Sequence, residues 1–185
     1  MFRKDEHAKV RLDVNEVIEE VLTLLRGELN SRRVSVRTEL SQELPRISAD
    51  RVQLQQVVLN LVMNAGEAMD AMPAGARILT IRSEACAPNE VIIAVEDSGP
   101  GIDPKDVDHI FDPFFTTKSQ GMGMGLSICR SIIKGASRST FCVTWYHPGR
   151  GLPDRVAIKQ ITDCLGPSSA GRASFMNRPQ AHSAL

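Results

Sequence analysis

Leu54-Gln55-Gln56-Val57-Val58-Leu59-Asn60-Leu61-Val62-Met63-Asn64-Ala65-Gly66-Glu67-Ala68-Met69 is the stretch on which the fold turns. Leu54, Val57, Val58, Leu61, Val62, Ala65 and Met69 recur at helical spacing, and Asp50 stands ahead of them as a cap. The stripe predicts a long helix packed on a core. Asn60, Asn64 and Glu67 fall at i, i+4 and i+7 on a narrow face opposite most of that stripe. Amides on so apolar a helix are costly unless they find partners. An Asn oxygen is a hard ligand suited to Mg²⁺. On its own, such a pair reads first as a solvated polar face. Gly66 costs about 1 kcal/mol relative to Ala inside a helix, and nothing in the sequence explains it.

Working outward, Asp13 reads as the cap of an earlier helix, with Glu16 placed as in a capping box. Val14, Val17, Ile18, Val21, Leu24 and Leu25 supply its apolar face. Residues 34–40 alternate and read as a strand. Residues 78–82 and 91–95 read as two antiparallel strands joined by a polar loop. Residues 103–110 read as a short helix, with Asp103 as cap and Pro104 in its first position. Leu126 to Lys134 reads as an apolar helix, and residues 139–146 as a strand. Residues 1–12 are charged and read as the end of a helix or a linker.

Three further segments carry chemistry. Asp97-Ser98-Gly99-Pro100-Gly101-Ile102 follows a strand. A carboxylate there can accept from an exocyclic amine such as that of adenine, and glycines admit a flat ring closely. Alone the segment reads as a turn. Phe111-Asp112-Pro113-Phe114-Phe115-Thr116-Thr117-Lys118 gathers three of the six Phe in one loop. It reads as a hinged lid that brings a cation to a phosphate. Gly121-Met122-Gly123-Met124-Gly125-Leu126 opens the last helix, where backbone N–H groups and the positive dipole end favour an anion. Neither the Rossmann nor the Walker spacing is met, and a hinge would look the same.

The order of these four elements resembles the catalytic, ATP-binding domain of bacterial sensor histidine kinases, within the wider gyrase, heat-shock-chaperone and MutL-like ATPase superfamily. The resemblance runs from about residue 1 to 134. Residues 60–69 are similar to the N box, 97–101 to the first glycine box, 111–118 to the F box and 121–126 to the second glycine box. It implies a two-layer α/β sandwich, with a mixed, mainly antiparallel sheet and helices on one face. It implies ATP and Mg²⁺ as cofactors. Asn64 would ligate the metal, and Asn60 and Lys118 would serve catalysis. Asp97 would read adenine, with Gly99 and Gly101 shaping that pocket. Thr117 and Lys118 would lie near the phosphates, and Gly121, Gly123, Gly125 and Leu126 would wrap the phosphate tail. Hydrolases of the superfamily carry Glu where this chain has Asn60. Asn cannot act as a general base, so phosphoryl transfer to a protein histidine is favoured over hydrolysis. Many sensor kinases place a cation near position 67. Here Glu67 is an acid, which leaves Lys118 to supply most of the positive charge.

The implied partners are a histidine-bearing dimerisation domain and, indirectly, a response regulator, with no nucleic acid. His7 is followed by Ala8-Lys9-Val10 and does not match the acceptor pattern. Residues 1–12 therefore read as the remnant of a preceding hairpin and 13–135 as the ATP-binding domain. Residues 136–185 read as a divergent, largely disordered tail, holding four Gly, four Pro and six Ser. The family's closing Gly-Gly turn and hairpin are not recognisable after Lys134, as a frame change there would produce. Two alternatives stay open: a degenerate nucleotide-binding remnant, and a serine kinase of the anti-sigma type.

Composition agrees with a soluble globular chain: 42% of the residues are hydrophobic and 24% charged. The 185 residues carry 22 basic and 22 acidic side chains. Residues 1–135 hold 16 basic and 20 acidic, whereas 136–185 hold 6 and 2. Zero net charge argues against a protein that coats nucleic acid. Cys86, Cys129, Cys142 and Cys164 form no CxxC, which points to reduced thiols in a cytoplasmic protein. The charged N-terminus is no signal peptide, and no apolar run approaches the roughly 20 residues of a membrane span.

Overall fold

The computed structural model describes residues 9–87, 90–103, 105–118, 121–135, 141–146 and 156–157. Its central helix, α2 (Arg51–Ala68), is the one read above. Asp50 caps it by accepting from Gln53 N at 3.1 Å. Leu54, Val57, Val58, Leu61, Val62 and Ala65 are fully buried. The chain then tightens into a 3-10 turn, Met69–Ala71, with Met69 in the core.

The helix α1 (Val14–Ser31) is capped by Asp13, which accepts from Asn15 N at 2.9 Å. Its C-terminus closes by a paired backbone device: Val34 N donates to Leu29 O and Arg33 N to Asn30 O, both at 2.9 Å. Arg33 takes the left-handed conformation, φ 54°, that this closure requires.

The main sheet has the order β2 (Ser35–Leu40), β4 (Ile78–Ala87), β5 (Glu90–Asp97), β6 (Phe141–Tyr146), β7 (Val156–Ala157). β2 runs parallel to β4 and β5 parallel to β6, while the β4–β5 and β6–β7 pairs are antiparallel. A second, antiparallel pair joins β1 (Val10–Leu12) to β3 (Ile47–Ala49). Three of these five pairings are antiparallel, as the resemblance implies. Leu79 and Ile81 on β4, and Val91, Ile93 and Val95 on β5, share the buried face at 0% exposure. α2 packs on that face between α1 and the last helix, α3 (Gly125–Gly135). The result is the expected two-layer α/β sandwich.

Two expectations change. Residues 10–12 are neither helix nor linker but a strand held by residues 47–49. Strands of three residues are too short to show a period; only Leu12, Ile47 and Ala49 turn inward. Residues 105–111 form linked turns rather than a short helix. Asp103 does cap locally, accepting from Lys105 N at 3.1 Å. The backbone bonds then mostly span three residues, from His109 N to Asp106 O and Asp112 N to His109 O, and the four-residue bond from Ile110 N to Asp106 O is not continued into a helical run. Asp side chains compete with a helix for the backbone, and this segment has Asp103, Asp106, Asp108 and Asp112.

β6 supplies the strand expected at residues 139–146, beside the buried β5. The disordered ending expected for the rest of the tail falls outside the described residues, except for β7. Among the described residues, no helix is long and apolar enough to cross a membrane.

Candidate functional site

The four segments converge around the C-terminal half of α2. Asn60, Asn64 and Glu67 are half-buried on the helix face read from the sequence. α3 runs alongside with matching spacing. The Asn64 Nδ2 lies 3.4 Å from where a Cβ on Gly125 would be. One turn away, the Asn60 side chain hydrogen-bonds the Cys129 thiol, which itself donates to Val57 O at 3.8 Å. Burial pushes this thiol up to about 11, partly offset by the bond from Asn60, so it stays protonated and is no nucleophile. The pairs 60/129 and 64/125 advance oppositely, which defines an antiparallel seam with Asn64 at the N-terminal, positive end of α3.

The loop of residues 111–118 crosses over this seam. Ile110 is buried and Phe111 packs on the core, with the Arg130 guanidinium 5.5 Å from its ring centre. Phe114 is 75% exposed and carries φ 68°, a strained value for an aromatic residue. Its N–H donates to Gly123 O at 2.9 Å. A Cβ on Gly123 would meet the Phe114 and Phe115 backbone at 2.5–2.7 Å, and Gly123 itself has φ 65°. The middle glycine therefore lets the loop close on the start of α3. Lys118 ends the described part of the loop. Its Nζ donates to Asn64 Oδ1 at 3.3 Å and pairs with the Glu67 carboxylate. Thr116 Oγ1 accepts from Lys118 N at 3.1 Å, while Thr117 is exposed.

Asp97 ends β5 at 1% exposure, and its Oδ1 accepts from Gly99 N at 2.9 Å. Gly99 has no room for a side chain: a Cβ would sit 2.8 Å from Asp97 Oδ1 and 3.1 Å from Ala68 O. Gly101 has φ 97°. Ser98 ties the turn back to β4, donating through its N–H to Ile78 O and accepting from Ile78 N. The Asp97 turn thus abuts α2 at Ala68, about 6 Å along the helix axis from Asn64.

Asn60, Asn64, Lys118 and Gly125 are therefore brought together, and Asp97 and Gly99 adjoin them through the end of α2. Leu126 is half-buried against the core. The bond from Asn60 to Cys129 was not read from the sequence, although the shared four-residue spacing of 60/64 and 125/129 was there to find. Among the described residues no three His, Cys, Asp or Glu side chains could hold a metal. Asn64 Oδ1 and the Glu67 carboxylate already grip one cation, the Lys118 ammonium. Such an oxygen donor set fits Mg²⁺, which is commonly held by one or two protein oxygens and by substrate phosphates.

An α/β sandwich with an amide-bearing helix, an Asp-Gly turn after a core strand and a glycine-opened helix defines a nucleotide-binding class. The profile of the histidine kinase-, DNA gyrase B- and HSP90-like ATPases matches residues 49–152, and the chain belongs to that family. The C4-dicarboxylate transport sensor protein DctS of Rhodobacter capsulatus is 38% identical over 153 residues, covering 77% of this chain and 23% of the relative. The sensor protein TdiS of Thauera aromatica is 39% identical over 123 residues, covering 66% and 22%. The chain thus spans under a quarter of the length of either relative. The nucleotide-free catalytic domain of the histidine kinase ThkA superposes with a TM-score of 0.60 at 38% identity, covering 69% of this chain and 80% of that one. ThkA in complex with the response regulator protein TrrA gives a TM-score of 0.61 at 32% identity, covering 80% and 40%.

Proposed function

We propose that this chain is the ATP-binding catalytic domain of a sensor histidine kinase. It would transfer the γ-phosphoryl group of Mg-ATP to a histidine on a separate dimerisation domain, for relay to a response regulator. The observation that carries this reading is the meeting of Asn64, the start of α3 and Lys118 at one point. An amide oxygen, a positive helix end and a mobile-chain cation are what a metal-bound polyphosphate needs.

In this reading Asp97 accepts from the adenine amine, with Gly99 and Gly101 leaving space for the ring. Gly121, Gly123, Gly125 and Leu126 shape the backbone around the phosphates. Thr117 and Lys118 approach them from the loop. The metal, when bound, neutralises phosphate charge. Asn64 would hold it. Asn60, bonded to Cys129 in the seam, keeps the adjacent turn of α2 in place and provides no base. The chain's work is then positioning and charge neutralisation. The domain is proposed to run from residue 13 through at least 135, with residues 1–12 leading in and 136–185 diverging. A cytoplasmic location goes with this reading.

The test is incubation with Mg²⁺, γ-labelled ATP and an added histidine-bearing dimerisation hairpin. An acid-labile label on the hairpin, lost with Asn64→Ala, is the expected result. An acid-stable label on a serine substrate would favour the anti-sigma type, and no label with intact ATP binding a degenerate remnant.

A further inference from the structure

Lys118 does not rest on Asn64 alone. Its ammonium donates to Asn64 Oδ1 at 3.3 Å and pairs with a Glu67 oxygen. Asn64 and Glu67 stand at i and i+3 on α2, one above the other on the same face. The Asn64 Nδ2 lies on the Gly125 side, 3.4 Å from where a Cβ on that glycine would be. That leaves its oxygen toward Glu67 and the loop. The seat therefore holds one neutral and one anionic oxygen around a single positive charge. The Lys118 and Glu67 side chains are 37% and 36% exposed, so the pair is a weak, exchangeable one.

We propose that Asn64 and Glu67 form a two-oxygen cation seat that the Lys118 ammonium fills in the free protein and a divalent cation fills in its place. Glu67 is then a second protein ligand, and Lys118 is released from α2 when the metal enters. The proposal rests on the nucleotide-binding reading for its purpose, though not for its chemistry. Both oxygens suit a hard cation, and two charges outcompete one at the same carboxylate. The consequence is electrostatic. Glu67 and Lys118 cancel in the free protein. A divalent cation on Glu67 and a released Lys118 together add two positive charges beside the α3 N-terminus. A polyphosphate arriving with its metal meets that charge, while one arriving without it must first break the Lys118–Glu67 pair. The acid at position 67 thus stores the loop's cation at the site.

The test titrates Mn²⁺, as a paramagnetic stand-in for Mg²⁺, into the nucleotide-free full chain and follows water-proton relaxation. Lys118→Met should tighten Mn²⁺ binding by about fivefold, the scale of losing one exposed competing ion pair. Glu67→Gln should weaken it by roughly tenfold or more, and adding Lys118→Met to Glu67→Gln should not restore it. Thermal unfolding of each variant checks that it folds, with Glu67→Asp as the substitute should Glu67→Gln fail. Unchanged affinity in Lys118→Met, or wild-type affinity in Glu67→Gln, overturns the seat. Mg-ATP stabilisation of the wild type is scored separately. If Mg-ATP stabilises but Lys118→Met changes nothing, only the seat fails; if the Mn²⁺ series behaves as expected and Mg-ATP does not stabilise, only the nucleotide reading fails.

Discussion

At Gly123 two constraints coincide. The residue sits at φ 65°, and any Cβ would press on the backbone of Phe114 and Phe115 at under 3 Å. Neither neighbour is the far end of a flexible side chain. Gly123→Ala should therefore cost about 1–2 kcal/mol locally, seen as faster chymotryptic cleavage at Phe114 and Phe115. Unchanged cleavage would contradict the contact. The G-x-G-x-G spacing was legible, but the particular task of Gly123 was not, because it depends on where a strained Phe114 places a distant backbone. His109 offers a pH test in the turns that lead into the same loop. Its ring is raised above the ordinary 6.5, first because Asp112 bonds to it at 2.9 Å, and it leans on Phe115 at 6.0 Å between ring centres. Protonated His109 gains the Asp112 contact, fully present below pH 6.5 and lost as pH rises through the higher folded value. Cleavage at Phe115 should accelerate upward from about pH 6.5, the ordinary imidazole value, and His109→Gln should flatten the profile. The paired amides at 60 and 64 were the most readable residues of the site, since helical periodicity alone aligns them.

At the scale of elements, the caps explain why the long helices were legible. Asp13 and Asp50 both accept from the first turn as their positions suggest. The C-terminal closure of α1 was hidden, because Arg33 occupies a left-handed position where glycine is usual. Arg33→Gly should raise stability by about 1 kcal/mol, and thermal unfolding measures it. Gly27, with nothing within 4 Å of a Cβ, gives a companion: Gly27→Ala should add about 0.5–1 kcal/mol. Gly66 now has neighbours as well, since a Cβ there would meet Arg32 Cδ at 3.5 Å and Leu29 at 3.8 Å. These are ordinary contacts, so close approach of α1 does not demand a glycine there. β1 and β3 were missed because pairing between residues 10–12 and 47–49 is a tertiary fact with no period to betray it.

At the scale of the molecule, the sheet continues past the last recognisable motif. β6 lies parallel to β5 in register from Val91 opposite Phe141 to Glu96 opposite Tyr146. The family profile likewise runs to residue 152. A chain ending at Gly135 would leave β5, whose Val91, Ile93 and Val95 are fully buried, as an open edge. Such a chain should melt lower and self-associate on size exclusion; a monomer of unchanged stability would contradict the placement of β6. Composition marked a boundary near residue 135 because charge and turn residues change there. It could not show strand pairing across that boundary, which depends on contacts about 50 residues apart in the chain.

In the proposed reading, four separated segments meet at one Mg-ATP site. A Mg-ATP titration followed by thermal unfolding tests it most directly. The wild type should gain about 2.7 kcal/mol at a hundredfold excess over Kd, a rise of roughly 5–10 °C for a domain of this size. Asp97→Ala should lose the gain while remaining folded, and chelation of Mg²⁺ should reduce it. A melting temperature indifferent to Mg-ATP, or a rise that survives Asp97→Ala unaltered, would contradict the account.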